Sequence, residues 1–171
     1  MSGDVGSDTV REILELLERD STLSHDTIAT MTGLPVAEVT AQIRAWEASG
    51  VIRRYKAVVN WDAVEGADAG EVMAFIDVAV LPARGVGFDD VAQRISRFDE
   101  VRSVYLVSGG HDLRCTVVGS NIRAVSDFVS RKLSTIDRVQ ATATHFVLAT
   151  HKQDGDNFAE PDPDHRLPIT P

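Results

Sequence analysis

The side chains best suited to chemistry in this 171-residue chain lie between Thr40 and Lys56: Thr40, Gln42 and Arg44 in one stretch, then Arg53, Arg54 and Lys56. Hydroxyl, amide and guanidinium groups hydrogen-bond base edges in a DNA groove, and guanidinium and ammonium groups pair with phosphates. Covalent and metal chemistry have no comparable set. The five histidines, His25, His111, His145, His151 and His165, show no metal-ligand spacing. His145 and His151 fall on and after a strand, where residues six apart are separated by ~20 Å. The single cysteine, Cys115, sits in the apolar run LRCTVV with no adjacent base, which excludes an internal disulfide and makes it a small core residue. There is no GxSxG, P-loop or dinucleotide fingerprint, so no catalytic residue, metal or cofactor is expected.

Helices must present the first set. The segment from Leu23 to Tyr55 reads LSHDTIATMTGLPVAEVTAQIRAWEASGVIRRY. Ser24 suits an N-cap for a helix carrying Ile28, Ala29 and Met31, and Gly33 suits its stop. Pro35 suits the first turn of a second helix running to about Ser49, with Gly50 as its stop. Val36, Val39, Ile43 and Trp46 share one face of that helix. Ala37, Glu38, Thr40, Ala41, Gln42 and Arg44 are placed opposite, on the surface a recognition helix turns to the major groove. An upstream helix over about Thr9–Glu18 carries Val10, Ile13, Leu14 and Leu17 at helical spacing and completes a small core. Val51 to Lys56 then reads as an extended wing whose cations reach phosphates. A three-helix bundle with a glycine turn and a solvated charge run would look similar, so this segment alone leaves DNA binding open.

Whole-chain electrostatics oppose DNA binding, because 17 basic against 26 acidic side chains give a formal charge of -9. Position matters more than the total. Residues 1–60 hold 6 basic and 9 acidic side chains, residues 61–152 hold 10 and 12, and residues 153–171 hold 1 and 5. Within the first segment the acids crowd into the first helix, while Arg44, Arg53, Arg54 and Lys56 cluster where DNA would lie. Few phosphate contacts per subunit are therefore expected, and a shallow salt dependence.

A second pattern follows a linker over residues 61–70. Val72 to Leu81 alternates as a strand, Phe88 to Phe98 has helical spacing, and Val101–Val107 and Leu113–Val118 are strands joined by the Ser108–Asp112 turn. Ile122 to Leu133 is helical again, and Val139 to Leu148 closes as a strand. The order βαββαβ predicts a ferredoxin-like, ACT-like sandwich over residues 71–152, behind a winged helix-turn-helix over residues 1–60: an α+β protein of two domains. Apolar side chains on the sheet face away from the helices call for cover, and a second copy is the simplest. The tail over residues 153–171, with four prolines and five acids, has no means of forming a core and is expected to be disordered. With no apolar run near the ~20 residues of a membrane span and no leader-like start, a cytoplasmic protein is expected.

In these features the chain resembles the leucine-responsive regulatory protein (Lrp/AsnC) family of bacterial and archaeal transcription regulators. The resemblance runs from Thr9 to Lys152 and rests on the helix-turn-helix, the junction GVIRRYKAVVN (Gly50–Asn60), the turn SGGHDL (Ser108–Leu113) and the closing strand VQATATHFVL (Val139–Leu148). It implies a C-terminal effector-binding and oligomerisation domain, dimers that often assemble into tetramers or octamers, and transcription tuned by amino acids or related metabolites. It also implies an effector site at Ser108, Gly109, Gly110, His111 and Asp112, with Thr142 and Thr144 facing that turn. Backbone N–H groups of a glycine turn can bind a carboxylate, and Asp112 can accept from an ammonium group. A turn in which Asp112 only caps backbone is the plainer alternative. His111 stands where relatives commonly carry an aromatic residue. Double-stranded DNA, a small effector and further copies of the chain are the partners expected. A metabolite-sensing oligomer that has lost DNA binding, and an enzyme like the sirohaem decarboxylases, which share the domain pair, remain as alternatives.

Overall fold

A computed structural model of the chain describes residues 5–61, 71–83 and 87–158. Contacts divide the chain into two compact units, which meet at Val58 and Val59 in the sequence. The linker expected over 61–70 lies, beyond Trp61, outside the described residues.

The first unit is three helices: α1 (Val5–Arg19), α2 (His25–Thr32) and α3 (Val36–Ser49). Each boundary has a local cause. The Ser24 hydroxyl accepts from the Thr27 N–H at 3.1 Å, so the first free donors of α2 are capped. Gly33, in the left-handed conformation, ends α2, and Gly50 ends α3 in the same way. Pro35 is the N-cap of α3 rather than its first helical residue. Ile13, Leu16, Leu17, Ile28, Ala29, Val39, Ile43 and Trp46 are buried together as the core. Three expected core positions differ: Val10, Met31 and Val36 are exposed, and Leu16, overlooked in the helical pattern, is buried. Residues 51–60 pair with no strand, so the stretch expected as an extended wing is irregular backbone.

The second unit has the order β1 (Val72–Val80), α4 (Asp89–Ile95), β2 (Val101–Leu106), β3 (Leu113–Gly119), α5 (Ile122–Arg131) and β4 (Val139–Phe146), with a short 3-10 turn at Leu133–Thr135 before β4. The strands form an antiparallel sheet in the order β2-β3-β1-β4. Successive strand residues face opposite sides. Ala74, Ile76, Val78 and Val80 on β1, with Leu113, Cys115 and Val117 on β3, therefore point one way and bury against Val91 and Ile95 of α4 and Val125 and Phe128 of α5. The ring of Phe98 meets that of Phe128 edge-on at 5.4 Å. Both helices thus cover one face, and no described element of this unit covers the other, the open face.

Lys152–Gln153 (β5) and Asp156–Asn157 (β6) form a two-stranded hairpin. The tail expected to lack structure from Gln153 onward is therefore ordered to about Phe158. Its remainder, 159–171, lies outside the described residues.

Candidate functional site

On α3 the core side chains Val39, Ile43 and Trp46 fix which face turns outward. At ~100° per residue, the ridge opposite them is Ala37, Ala41, Arg44 and Ala48. Arg44 is exposed there, as are Arg53, Arg54 and Lys56 beyond the helix. Thr40 and Gln42 correct the expected arrangement. They lie on the two flanks of α3, each half-buried, rather than opposite the core. Thr40 is also engaged: its Oγ1 lies 2.9 Å from Nδ1 of His25, at the start of α2. Tyr55 donates its hydroxyl to Glu47 Oε1 at 2.9 Å and so fastens the segment carrying Arg53 and Arg54 back onto α3. Loss of solvent, with the Glu47 carboxylate beside it, raises the Tyr55 pKa.

In the second unit the turn from Ser108 to Asp112 is pinned to β1. The Val107 N–H donates to the Asp112 carbonyl at 2.9 Å and the Asp112 N–H donates to the Val78 carbonyl at 3.1 Å. Asp112 Oδ2 accepts from the Val80 N–H at 2.8 Å, so this carboxylate holds the end of β1. Gly109 takes φ +140° within the turn. Beneath it lies a cleft of about 480 Å³ lined by Ser108, Gly110, His111, Asp77 and Arg114, with apolar walls from Leu106 and Val107. Ser108, Gly110 and His111 thus meet at one cleft, with Asp112 behind them.

Thr142 and Thr144 do not join them. The register sets Thr142 against Val78 and Thr144 against Ile76, so both share the helix-covered face. Asp77 and Arg114 are cross-strand partners on the open face. The expectation that the two threonines face the turn is therefore not met within the chain, because they alternate onto the other side of the sheet.

What sequence reasoning missed is the group around Asp77. This carboxylate, its side chain only 9% exposed, accepts two hydrogen bonds from Arg114, at 2.6 Å to Nε and 2.8 Å to Nη2. Two imidazoles also approach Asp77 Oδ2: His145 Nε2 at 3.5 Å and His111 Nδ1 at 3.9 Å. The Arg114 bonds hold the Asp77 carboxyl below the usual carboxylate range, against the opposing pull of burial. The signal was present as one acid inside the apolar strand FIDVAV, since a charge at a buried position requires a partner. Cys115 is fully buried beside Ile76, and loss of solvent pushes its thiol up to about 11. Among the described residues no cluster of His, Cys, Asp or Glu could hold a metal, and no helix is long and apolar enough to cross a membrane.

Comparison with known families places both units. Residues 7–53 match the winged helix-turn-helix DNA-binding family, and residues 73–156 match the Lrp/AsnC ligand binding domain. A DNA-reading helix pair ahead of a ligand-binding α+β domain defines the class: this is a DNA-binding transcription regulator. An uncharacterized HTH-type transcriptional regulator of Bacillus subtilis, YugG, is 48% identical over 160 residues, covering 94% of this chain and 95% of its own. The crystal structure of the Mycobacterium tuberculosis leucine response regulatory protein LrpA is 28% identical, with a TM-score of 0.69, over 89% of this chain and 99% of its own. A feast or famine regulatory protein from M. tuberculosis, crystallised with L-methionine, is likewise 28% identical, with a TM-score of 0.67, over 89% of this chain and 98% of its own. The chain belongs to the Lrp/AsnC family.

Proposed function

We propose that this regulator is a homo-oligomer whose affinity for an operator is tuned by a small metabolite of the amino-acid class, bound at the Ser108–Asp112 turn. The observation that carries the reading is the cleft beneath that turn, in the domain type whose relative was crystallised with L-methionine. Ser108, Gly109, Gly110 and His111 supply backbone and side-chain donors, and Asp112 positions the turn. Thr142 and Thr144 are not part of this proposal.

DNA is read by the outward ridge of α3, with Arg44 at its centre, Thr40 and Gln42 on its flanks, and Arg53, Arg54 and Lys56 on phosphates. Copies pair through the open sheet face, where Phe75 and Tyr105 are exposed apolar side chains. A dimer doubles a small cationic patch and sets the spacing of two recognition helices.

The test is binding of the full chain to DNA upstream of its own gene, against shuffled DNA of equal length, at ~50 to ~200 mM salt. Saturable preference for the upstream DNA is expected. Arg44→Ala with Arg53→Ala should weaken binding and lower the salt slope by about one per lost phosphate contact. Equal, weak binding to both DNAs by parent and variant would instead favour a metabolite-sensing oligomer without DNA recognition.

A further inference from the structure

Resting on that reading of the turn cleft as the effector site, we infer that its ligand is a small dicarboxylate, such as an acidic amino acid or the corresponding 2-oxo acid. The inference comes from which hydrogen-bonding valences the cleft has left to offer. Asp77 is the carboxylate that lines the cleft, and both its oxygens are taken by Arg114. Asp112, the acid that an ammonium group was expected to find, spends an oxygen on the Val80 N–H. Asp112 is not among the residues lining the cleft, so a cationic group beyond an α-ammonium meets there only a carboxylate already paired with Arg114.

An incoming anion meets several donors. A guanidinium has five N–H groups, and Arg114 commits two of them to Asp77. His111, in the lining, turns Nδ1 toward Asp77 and leaves Nε2, which donates in the tautomer that carries its proton there. Ser108 adds a hydroxyl at the mouth. The Asp77–Arg114 pair is formally neutral, so a carboxylate arriving beside it meets spare guanidinium N–H groups and no unpaired carboxylate in the lining. A ligand with one carboxylate for the glycine turn and a second for Arg114 and His111 satisfies more of the cleft than a neutral side chain such as that of methionine.

Titration calorimetry of the full chain at neutral pH with glutamate, 2-oxoglutarate, glutamine and methionine tests this. Glutamate and glutamine have nearly the same shape and differ by one charge. At least one of the two diacids should bind about tenfold or more tighter than glutamine, as expected for a charge-assisted bond to a guanidinium. His111→Gln should reduce that preference, and Asp77→Asn with Arg114→Gln, which trades the ion pair for an amide pair, should remove it. Should the double variant fail to fold, His111→Gln, on the turn, carries the comparison alone. Tighter binding of glutamine or methionine that Gly110→Val abolishes would overturn the dicarboxylate inference and leave the effector site standing. Absence of binding by all four compounds would overturn both.

Discussion

Asp77 concentrates the physical chemistry of the second unit in one side chain. Its folded-state pKa lies below the ordinary value, first because Arg114 hydrogen-bonds its ionised form. A lowered carboxylate stabilises the fold fully above the unfolded value, and that contribution is lost as pH falls through the folded one. Glu100, bonded by Lys132, and Asp90, bonded by Arg138, are lowered in the same direction. Thermal melts should therefore show stability falling as pH drops below ~4, with a weaker fall in Asp77→Asn. A melting temperature that is flat across that range would contradict the role given to these pairs. Cys115 makes a second prediction. A thiol pushed up to about 11 and fully buried is a poor nucleophile, so iodoacetamide near pH 8 should label it only after unfolding. Rapid labelling of the native chain would place the residue outside the core. At this scale the core cysteine and the Ser24 cap were legible because each follows from residue type and immediate neighbours. The Asp77 group was not, because its members are 31 or more residues apart in the sequence, apart from His111 and Arg114, and meet only through strand register.

Elements follow sequence most closely where periodicity and punctuation agree. β1 is such a case: its alternating apolar set faces the helices as expected, and only its end differs, at Val80 rather than Leu81. α3 departs from the face that residue type suggests. Residue type suggests Thr40 and Gln42 opposite the core, yet helical geometry puts them on its flanks, and His25 holds Thr40. The outward ridge is mostly alanine, so it carries methyl groups and, in Arg44, a single charge. The β5–β6 hairpin was legible and overlooked. Asp154 and Gly155 form a two-residue loop with φ of 50° and 95°, and Asp-Gly is the sequence signature of that turn. The end of β3 supplies a test of packing. A Cβ on Gly119 would stand 3.0 Å from Val125 Cγ2 and 3.3 Å from the Val125 backbone nitrogen, so alanine there requires α5 to give by a few tenths of an ångström. Gly119→Ala should cost roughly 1–3 kcal/mol in urea unfolding. Unchanged stability would show that α5 moves away without loss.

At the scale of the molecule, charge and architecture pull apart. A chain of formal charge -9 that reads DNA must do so with local cations, and the ones proposed for the purpose are Arg44, Arg53, Arg54 and Lys56. Pairing of copies through the open sheet face would compensate for a small patch per chain, and the proposed ligand, beside that face, would bias the pairing. Such a ligand changes DNA affinity only by as much as it binds one assembly better than another. The proposed pairing was legible in the apolar side chains that alternate onto the sheet face away from the helices, whereas the effector came only from the family resemblance, since composition and periodicity do not show which side chains meet at a turn. The most direct measurement is fluorescence anisotropy of an operator duplex titrated with the full chain, with and without saturating effector, in parent and Gly110→Val. Coupled sites should shift the parent's affinity by roughly 5- to 150-fold, in either direction, and leave the variant unmoved. A ligand that calorimetry shows bound at the turn, yet that leaves operator affinity unchanged, would contradict the account.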